Sequence, residues 1–159
     1  MQFRVGDCIA HPMHGAGIID HIEKRKINGT EREYYVVKLP VGDMVVMIPR
    51  DHSEEIGIRP IVDPEAAAQI MSAIPALEID MVQNWNRRYR ENMLRIKSGD
   101  LMEVAAVVKG LMSRDMDRGL STGERKMLHS AKQILISELV LAESSSYEEV
   151  EDRLNEAMA

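Results

Sequence analysis

The hydrophobic pattern of this 159-residue chain changes its period near Pro60, and this change decides the fold class. Before it, short runs of β-branched and aromatic residues alternate with turns, as strands do. After it, apolar residues recur at helical spacing. The sequence therefore predicts an α+β protein: a small N-terminal antiparallel β-barrel over residues 1–60 and an all-helical domain of about five helices over residues 61–159.

The β domain carries one strong turn signal, Asn28-Gly29, between two extended runs. Asn-Gly supplies the positive φ angles of a type I′ turn and therefore predicts a β-hairpin. A second pair of runs is divided by a turn that contains Pro40, Gly42 and Asp43. Further short extended segments lie near residues 3–5, 8–10 and 56–58. About five strands result, which a barrel of Tudor-like or SH3-like size would close.

Helix starts in the second half are marked by residues that cap the first free backbone N–H groups. They are Asp63, Asp100, Ser121 and Ser146. Pro64 fits the first position of the first helix, which Pro75 would end. The second helix is expected to run from about Asn84 to Lys97. A glutamate follows three residues after each of the two serines, which completes a capping box.

Charge is unevenly distributed along the chain. The formal net charge is −6. Residues 84–97 nevertheless hold five basic residues against one acidic residue, whereas residues 138–159 hold seven acidic residues against one basic residue. A net negative charge by itself argues against nucleic acid as a partner, but a local basic face is compatible with it.

The cysteine and hydropathy patterns bear on the compartment. The single cysteine, Cys8, cannot form an internal disulfide, and MQFRVGDCIAH shows no basic region followed by an apolar run. We therefore expect a reducing, cytoplasmic setting. No stretch approaches the roughly 18 to 20 consecutive apolar residues of a membrane span, so no membrane partner is expected.

Motifs for catalysis or metal binding are weak or missing. Cys8, His11 and His14 have zinc-ligand side chains. A closed site needs a fourth ligand, for which His21 or His52 would have to be recruited. The alternative is a turn with partly exposed histidines. The sequence has neither a Gly-x-Ser-x-Gly elbow, a phosphate-cradling glycine loop nor a His-Glu-x-x-His motif, so neither an enzyme nor a cofactor is predicted.

The single tryptophan, Trp85, lies among arginines in NWNRRYREN. On a helix, Trp85 shares one side with Tyr89, Asn92 and Ile96, so periodicity alone favours a core residue. An exposed tryptophan would forgo roughly 1.5 to 3 kcal/mol of burial and would need a functional reason. One such reason is DNA binding, in which guanidinium groups hold phosphates while an apolar wedge enters a base step.

Four stretches resemble the CarD/CdnL family of bacterial transcription factors. They are FRVGDCIAHPMHGAG at the start, EYYVVKLPVGDMVVMIP in the strands, NWNRRYRENMLRIKSGD in the second helix and GLSTGERKMLHSAKQILISELVLAES in the fourth. The resemblance covers nearly the whole chain, in order. It implies the same two-domain architecture, with a Tudor-like domain similar to the polymerase-interacting domain of the transcription-repair coupling factor.

The resemblance also implies two partners. The N-terminal domain would bind the β subunit of RNA polymerase, and the helical domain would bind promoter DNA upstream of the melted region without sequence specificity. There the family's tryptophan, here Trp85, acts as a minor-groove wedge that stabilises the open complex, notably at ribosomal RNA promoters. The protein would act at the bacterial nucleoid as a monomer, although the short hinge at residues 59–64 would permit a domain-swapped dimer.

Further site residues follow from the resemblance one position at a time. Basic residues at DNA-facing positions are Arg87, Arg88, Lys97, Arg125 and Lys126. Met47 and Pro49 match the polymerase-facing edge, and Arg25 lies on the adjoining hairpin, where some members have a contact residue. Some members carry arginine where this chain has Met47, so the contact here is apolar.

Two other function classes stay open on the residues alone. A protein-interaction module would bind a helicase, a repair factor or a peptide through its barrel, with Trp85 in the core. A metalloenzyme would use Cys8, His11 and His14. An exposed Trp85 would favour the transcriptional adaptor over the interaction module, and the metalloenzyme would require stoichiometric zinc.

Overall fold

The computed structural model describes residues 2–40, 43–79 and 82–159. Within these ranges an antiparallel sheet comes first and helices follow. Its strands are β1 (Cys8–His11), β2 (Gly15–Ile27), β3 (Thr30–Lys38), β4 (Val45–Pro49) and β5 (Arg59–Pro60). Their order in the sheet is β4-β3-β2-β1-β5, so β4 and β5 are edge strands. The predicted α+β class and the predicted number of strands are confirmed.

The β2–β3 hairpin turns at Asn28 and Gly29. Their φ angles are 52° and 81°, and the flanking residues Ile27 and Thr30 face each other across the strands. Two positive φ angles in a two-residue loop are the type I′ geometry, so this prediction is confirmed. The turn predicted at Pro40, Gly42 and Asp43 falls partly outside the described residues, because these omit residues 41 and 42.

Two predicted strands near the ends of the β domain are wrong. Phe3 lies outside the sheet, where its backbone N–H donates to the hydroxyl of Tyr35 at 3.1 Å and its ring packs edge-on against the same residue. The segment near residues 56–58 is instead the end of a short helix, α1 (Ser53–Ile56). Gly57 ends that helix at φ 96°, a conformation that glycine adopts without steric cost, and β5 begins after it.

Five helices form the C-terminal part of the described chain, as predicted. They are α2 (Pro64–Ala73), α3 (Trp85–Lys97), α4 (Leu101–Arg118), α5 (Thr122–Glu143) and α6 (Tyr147–Met158). Each predicted capping side chain accepts a backbone N–H bond at the start of its helix. Asn84, which was predicted only as the start of the second helix, caps α3 in the same way. The first helix ends one residue earlier than expected, since a 3-10 turn at Ile74–Ala76 takes up Pro75.

Two separate apolar clusters stabilise the fold. One lies in the sheet, around Ile9, Ile19, Tyr35, Val37 and Ile48. The other lies among the helices, around Val108, Leu111, Leu135, Leu139 and Val150. Helix α5 packs on α2, α4 and α6 and also on strand β2, so it is the element that joins the two parts. Among the helices of the described residues, none has the length and apolar character that crossing a membrane requires.

Candidate nucleic-acid interface

Trp85 is the first residue of α3, directly after the N-cap Asn84. Its side chain is 42% exposed. One face of the indole stacks on Tyr89, with ring centroids 5.1 Å apart and planes 21° from parallel. Trp85 is therefore a surface residue with one covered face, and its interpretation as a core residue is wrong.

The indole of Trp85 is also fixed by α5. Its Nε1–H donates to the Oγ of Ser121 at 3.0 Å. Ser121 is the N-cap of α5: its Oγ accepts the backbone N–H of Glu124 and donates to the Glu124 carboxylate, both at 3.2 Å. Gly123, in the first turn of α5, lies beside the ring: a Cβ at this position would be 3.5 Å from the Trp85 indole, an ordinary van der Waals contact. The ring is held in one orientation before any partner binds.

Arg88 is not where the resemblance implied. It is 3% exposed, and its guanidinium makes two hydrogen bonds to the Glu124 carboxylate, at 2.8 and 3.2 Å. Two more go to the carbonyl oxygens of Val82 and Gln83. The helical turn points residue 88 at α5 while residue 87 points outward. The burial of Arg88 therefore contradicts a direct contact with phosphate. Arg88 instead stabilises the surroundings of Trp85 indirectly, by holding Glu124 of α5.

The Arg88–Glu124 pair perturbs the titration of the carboxylate. Burial alone raises the pKa of Glu124, but the hydrogen bonds and positive charge of Arg88 outweigh it and hold the pKa below its ordinary value of 4.5. Glu124 is thus ionised at neutral pH, so its oxygens stay acceptors for Arg88 and Ser121. A continuous chain of hydrogen bonds runs from Arg88 through Glu124 and Ser121 to Trp85.

The starts of α3 and α5 meet at Trp85, as its bond to Ser121 shows. Each helix start carries partial positive charge and favours anions. The same two helix starts carry exposed cations: Arg125 and Lys126 lie in the first turns of α5, and Arg87 lies in the first turn of α3, where it pairs with Glu91 at 3.1 Å. Lys97 is also exposed but lies at the far end of α3, about 18 Å along the helix.

Comparison with known proteins identifies the family. Residues 3–62 match the family model "CarD-like/TRCF RID domain", and residues 69–155 match "CarD, C-terminal domain". The Bacillus subtilis (strain 168) protein named "Putative transcription factor YdeB" is 40% identical over 138 residues, which cover 87% of this chain and 90% of that protein. The chain belongs to the CarD family. It is therefore a CarD-like transcription factor, not a member of a known enzyme family.

The sheet of this CarD-like protein offers a free edge at β4. Met47 and Pro49 lie in β4, opposite Val36 and Tyr34 of β3. Both are half-buried, while Val45 at the start of the strand is exposed. Arg25 lies on β2, two strands from that edge, where it is exposed and bonded to Glu23 at 2.7 Å. The structure thus puts Met47 and Pro49 together and Arg25 apart from them, nearer the hairpin tip.

The histidines of the CarD-like chain do not gather into a metal site. Rings of His11 and His14 lie 4.5 Å apart, and among the described residues no three His, Cys, Asp or Glu side chains are arranged to hold a metal ion. Burial, assisted by the nearby His14, lowers the pKa of His11 to about 4. Its Nδ1 accepts the backbone N–H of Met13 at 3.0 Å, a bond that requires that nitrogen to be unprotonated.

Sequence reasoning missed the residues that support Trp85. Ser121 and Glu124 were recognised only as a capping box, and Tyr89 only as a neighbour on the helix. The local signal was correct, but the partners of Ser121 and Glu124 lie 36 positions away along the chain. The sequence offered one hint, because a buried arginine needs an ionised acceptor. The helical pattern did not indicate which arginine was buried.

Proposed function

We propose that this CarD-family protein is a non-catalytic adaptor that binds the β subunit of RNA polymerase and upstream promoter DNA, and so stabilises the open promoter complex. The observation that carries the proposal is Trp85: a half-exposed indole hydrogen-bonded where two helix starts meet, with exposed cations in the first turns of the same two helices. The residues before about position 60 supply the polymerase site, and those after it supply the DNA site.

The polymerase contact is the free edge of β4. An edge strand adds its backbone hydrogen bonds to a sheet of the partner, and its side chains set specificity. Met47 and Pro49 lie on this edge and give it an apolar surface. Arg25 would contact the polymerase from the adjoining hairpin.

The DNA contact combines a wedge with phosphate clamps. Trp85 is rigid and partly apolar, as a side chain must be to insert at a base step. Arg87, Arg125 and Lys126 stand beside it and hold phosphates, while Lys97 reaches the backbone further along the duplex. None of these groups reads base edges, so binding is independent of sequence. Arg88 acts indirectly, by fixing Glu124 and through it Ser121.

Polymerase delivers the protein to its DNA site. Tethering raises the effective concentration of DNA, so a chain with net charge −6 needs only one basic face. A protein with this role acts in the bacterial cytoplasm at the nucleoid, and we expect it to act as a monomer.

The Trp85→Ala variant tests the wedge. An aromatic contact with a base is worth about 1–3 kcal/mol, so the protein-dependent increase in open-complex lifetime should fall roughly tenfold or more. Because the indole is partly exposed, the variant should fold and bind the β subunit as the parent does. Leu94→Ala is the matched control: Leu94 is 64% exposed on the other side of the same helix and should have no effect.

If the Trp85→Ala variant binds the β subunit normally and leaves the lifetime unchanged, the wedge mechanism is wrong. If the unmodified protein neither lengthens the lifetime nor binds the β subunit, the whole proposal is wrong.

Salt dependence tests the phosphate contacts. With about three to four cations at phosphates, the DNA contribution should weaken with a log–log slope near −3. The measurement is open-complex lifetime over a series of salt concentrations, with and without the protein. Replacing Arg125 by glutamine should make the slope shallower by about one. A DNA contribution that does not depend on salt would contradict the clamp.

A further inference from the structure

The linker between sheet and helices is anchored by one buried carboxylate. Glu138, in the C-terminal half of α5, is 1% exposed. Its two oxygens accept hydrogen bonds from the guanidinium of Arg59 in β5, at 2.7 and 2.9 Å, and one of them also accepts the backbone N–H of Val62 at 2.9 Å. Arg59 further donates its Nε–H to the carbonyl of Gly99, in the turn between α3 and α4, at 2.7 Å. One arginine therefore joins the sheet edge to α5 and to the turn between α3 and α4.

A second contact joins β2 directly to α5. The backbone N–H of Ala16 donates to the Oγ of Ser137 at 2.9 Å. Gly15, next to it, has φ 91°, and a Cβ at this position would overlap the Ser137 hydroxyl and lie 3.2 Å from the Cα of Ile134. Glycine is thus required here both by the backbone conformation and by the close approach of the helix.

These contacts, and not a shared apolar core, set the angle between the two parts. The buried apolar residues form one cluster in the sheet and another among the helices. Apolar packing is non-directional, whereas a bidentate arginine–carboxylate pair holds its two partners in one geometry. The Arg59–Glu138 pair, the hydrogen bond from Ala16 to Ser137 and the close contact of Gly15 all involve α5. Together they hold the sheet in one position on this helix.

We propose that Arg59, Glu138, Gly15 and Ser137 are positioning residues that fix the polymerase-binding edge at one distance and angle from Trp85. The proposal rests on the adaptor function above. Neither binding site contains these residues, so each partner alone binds without them. Both sites act together on one promoter complex, and there a fixed geometry keeps Trp85 at its base step.

The Gly15→Ala and Glu138→Gln variants test the junction. The first pushes α5 away from β2, and the second removes the charge that holds Arg59 while keeping the shape of the side chain. Gly6→Ala is the matched control for the first, because Gly6 has φ 93° but nothing within 4 Å of its added Cβ. It introduces the same backbone strain without separating the two parts.

The first readout is the distance between the two parts in the full-length protein. Spin labels are attached at Ile27→Cys and Met116→Cys, two exposed positions on opposite parts, in a background with Cys8→Ser. Pulsed electron paramagnetic resonance should give one narrow distance distribution for the unmodified junction and for Gly6→Ala. Gly15→Ala and Glu138→Gln should each broaden or shift it.

The second readout is function. Both junction variants should shorten the protein-dependent open-complex lifetime roughly fivefold or more, within the range of coupling between separate sites. Their affinity for the isolated β subunit should stay within about twofold of the parent. A merely structural role would instead lower that affinity in proportion to the unfolded fraction.

Two results would overturn the inference: an unchanged distance distribution in both junction variants, or a broadened distribution with an unchanged open-complex lifetime. If one variant does not fold, the other decides. Failure of the adaptor function is recognised separately, because the unmodified protein would then not lengthen the lifetime at all. The distance readout still tests the junction in that case.

Discussion

The two halves of α5 each hold a buried glutamate that pairs with an arginine, but the two pairs differ in what they join. Glu124 binds Arg88 of α3, within the helical part, and both side chains are 3% exposed. Glu138 binds Arg59 of the linker; Glu138 is 1% exposed, whereas Arg59 is 28% exposed. The first pair supports one surface side chain, Trp85, and the second joins two parts of the molecule.

Because the two arginines differ in exposure, we expect removal of the two glutamates to lower the stability of the protein by different amounts. Removing one member of a buried ion pair leaves the other charged and without a partner, which costs more than the pair itself contributes. Arg59 is partly open to water, whereas Arg88 is almost completely buried. Without the carboxylate, Arg88 would keep only the carbonyl oxygens of Val82 and Gln83, so the Arg88–Glu124 pair should be the less tolerant of the two.

Glu124→Ala should therefore have the largest effect on stability. Arg88 would remain buried with two carbonyl acceptors but no carboxylate, and the free energy of unfolding should fall by about 3–5 kcal/mol. Trp85 should also lose its fixed orientation, since Ser121 loses a partner. Urea unfolding at neutral pH measures the first effect, and tryptophan fluorescence anisotropy of the folded protein measures the second.

Glu138→Ala provides the comparison at the other half of α5. It should destabilise the protein less than Glu124→Ala, because the guanidinium of Arg59 can turn toward solvent. Trp85 anisotropy should stay at the parent value. Equal losses of stability at the two positions would show that exposure of the arginine does not decide the cost.

The two ion pairs also show which features of the structure could be predicted from the sequence and which could not. Periodicity, caps and the Asn28-Gly29 signal predicted the helices and the main hairpin, because these depend on residues close in the chain. Phe3 was misassigned to a strand, since its position is set by Tyr35, 32 residues away. Arg88 was misassigned to the surface for the same reason: its environment depends on Glu124, 36 residues away. Two charged residues that pair across a long stretch of chain leave no recognisable pattern in the sequence around either of them.

Ser121→Ala should have an intermediate effect that separates capping from support of Trp85. Loss of an N-cap side chain costs about 1–2 kcal/mol of stability. The indole Nε1–H also loses its acceptor, so Trp85 should become more mobile and more accessible to acrylamide quenching. Ser146→Ala is the matched control, because Ser146 caps α6 in the same way without contacting Trp85. A similar rise in quenching in both variants would argue against a specific bond from Ser121 to the indole.

The smallest expected effect is a loss of stability at mildly acidic pH. It tests the junction between the sheet and α5, where Arg59 pairs with Glu138. His11 lines a small cavity together with Arg59 and Glu138, at the junction of sheet and α5. Its pKa is lowered from 6.5 to about 4 in the folded protein, by burial first and then by His14. As pH falls below 6.5, the unfolded chain therefore binds a proton that the folded protein excludes, and stability decreases until pH reaches about 4.

This loss is separable from that of Glu124, which belongs to a lower pH range. The pKa of Glu124 is held below 4.5, so its contribution is present above that pH and is lost only below it. Between neutral pH and pH 6 the His11 effect should amount to less than about 1 kcal/mol. Urea unfolding across this range should show a shallower pH dependence for His11→Gln than for the parent. An unchanged slope would mean that another group at the junction takes up the proton, and the histidine would then have no part in the acid sensitivity of the sheet–α5 contact.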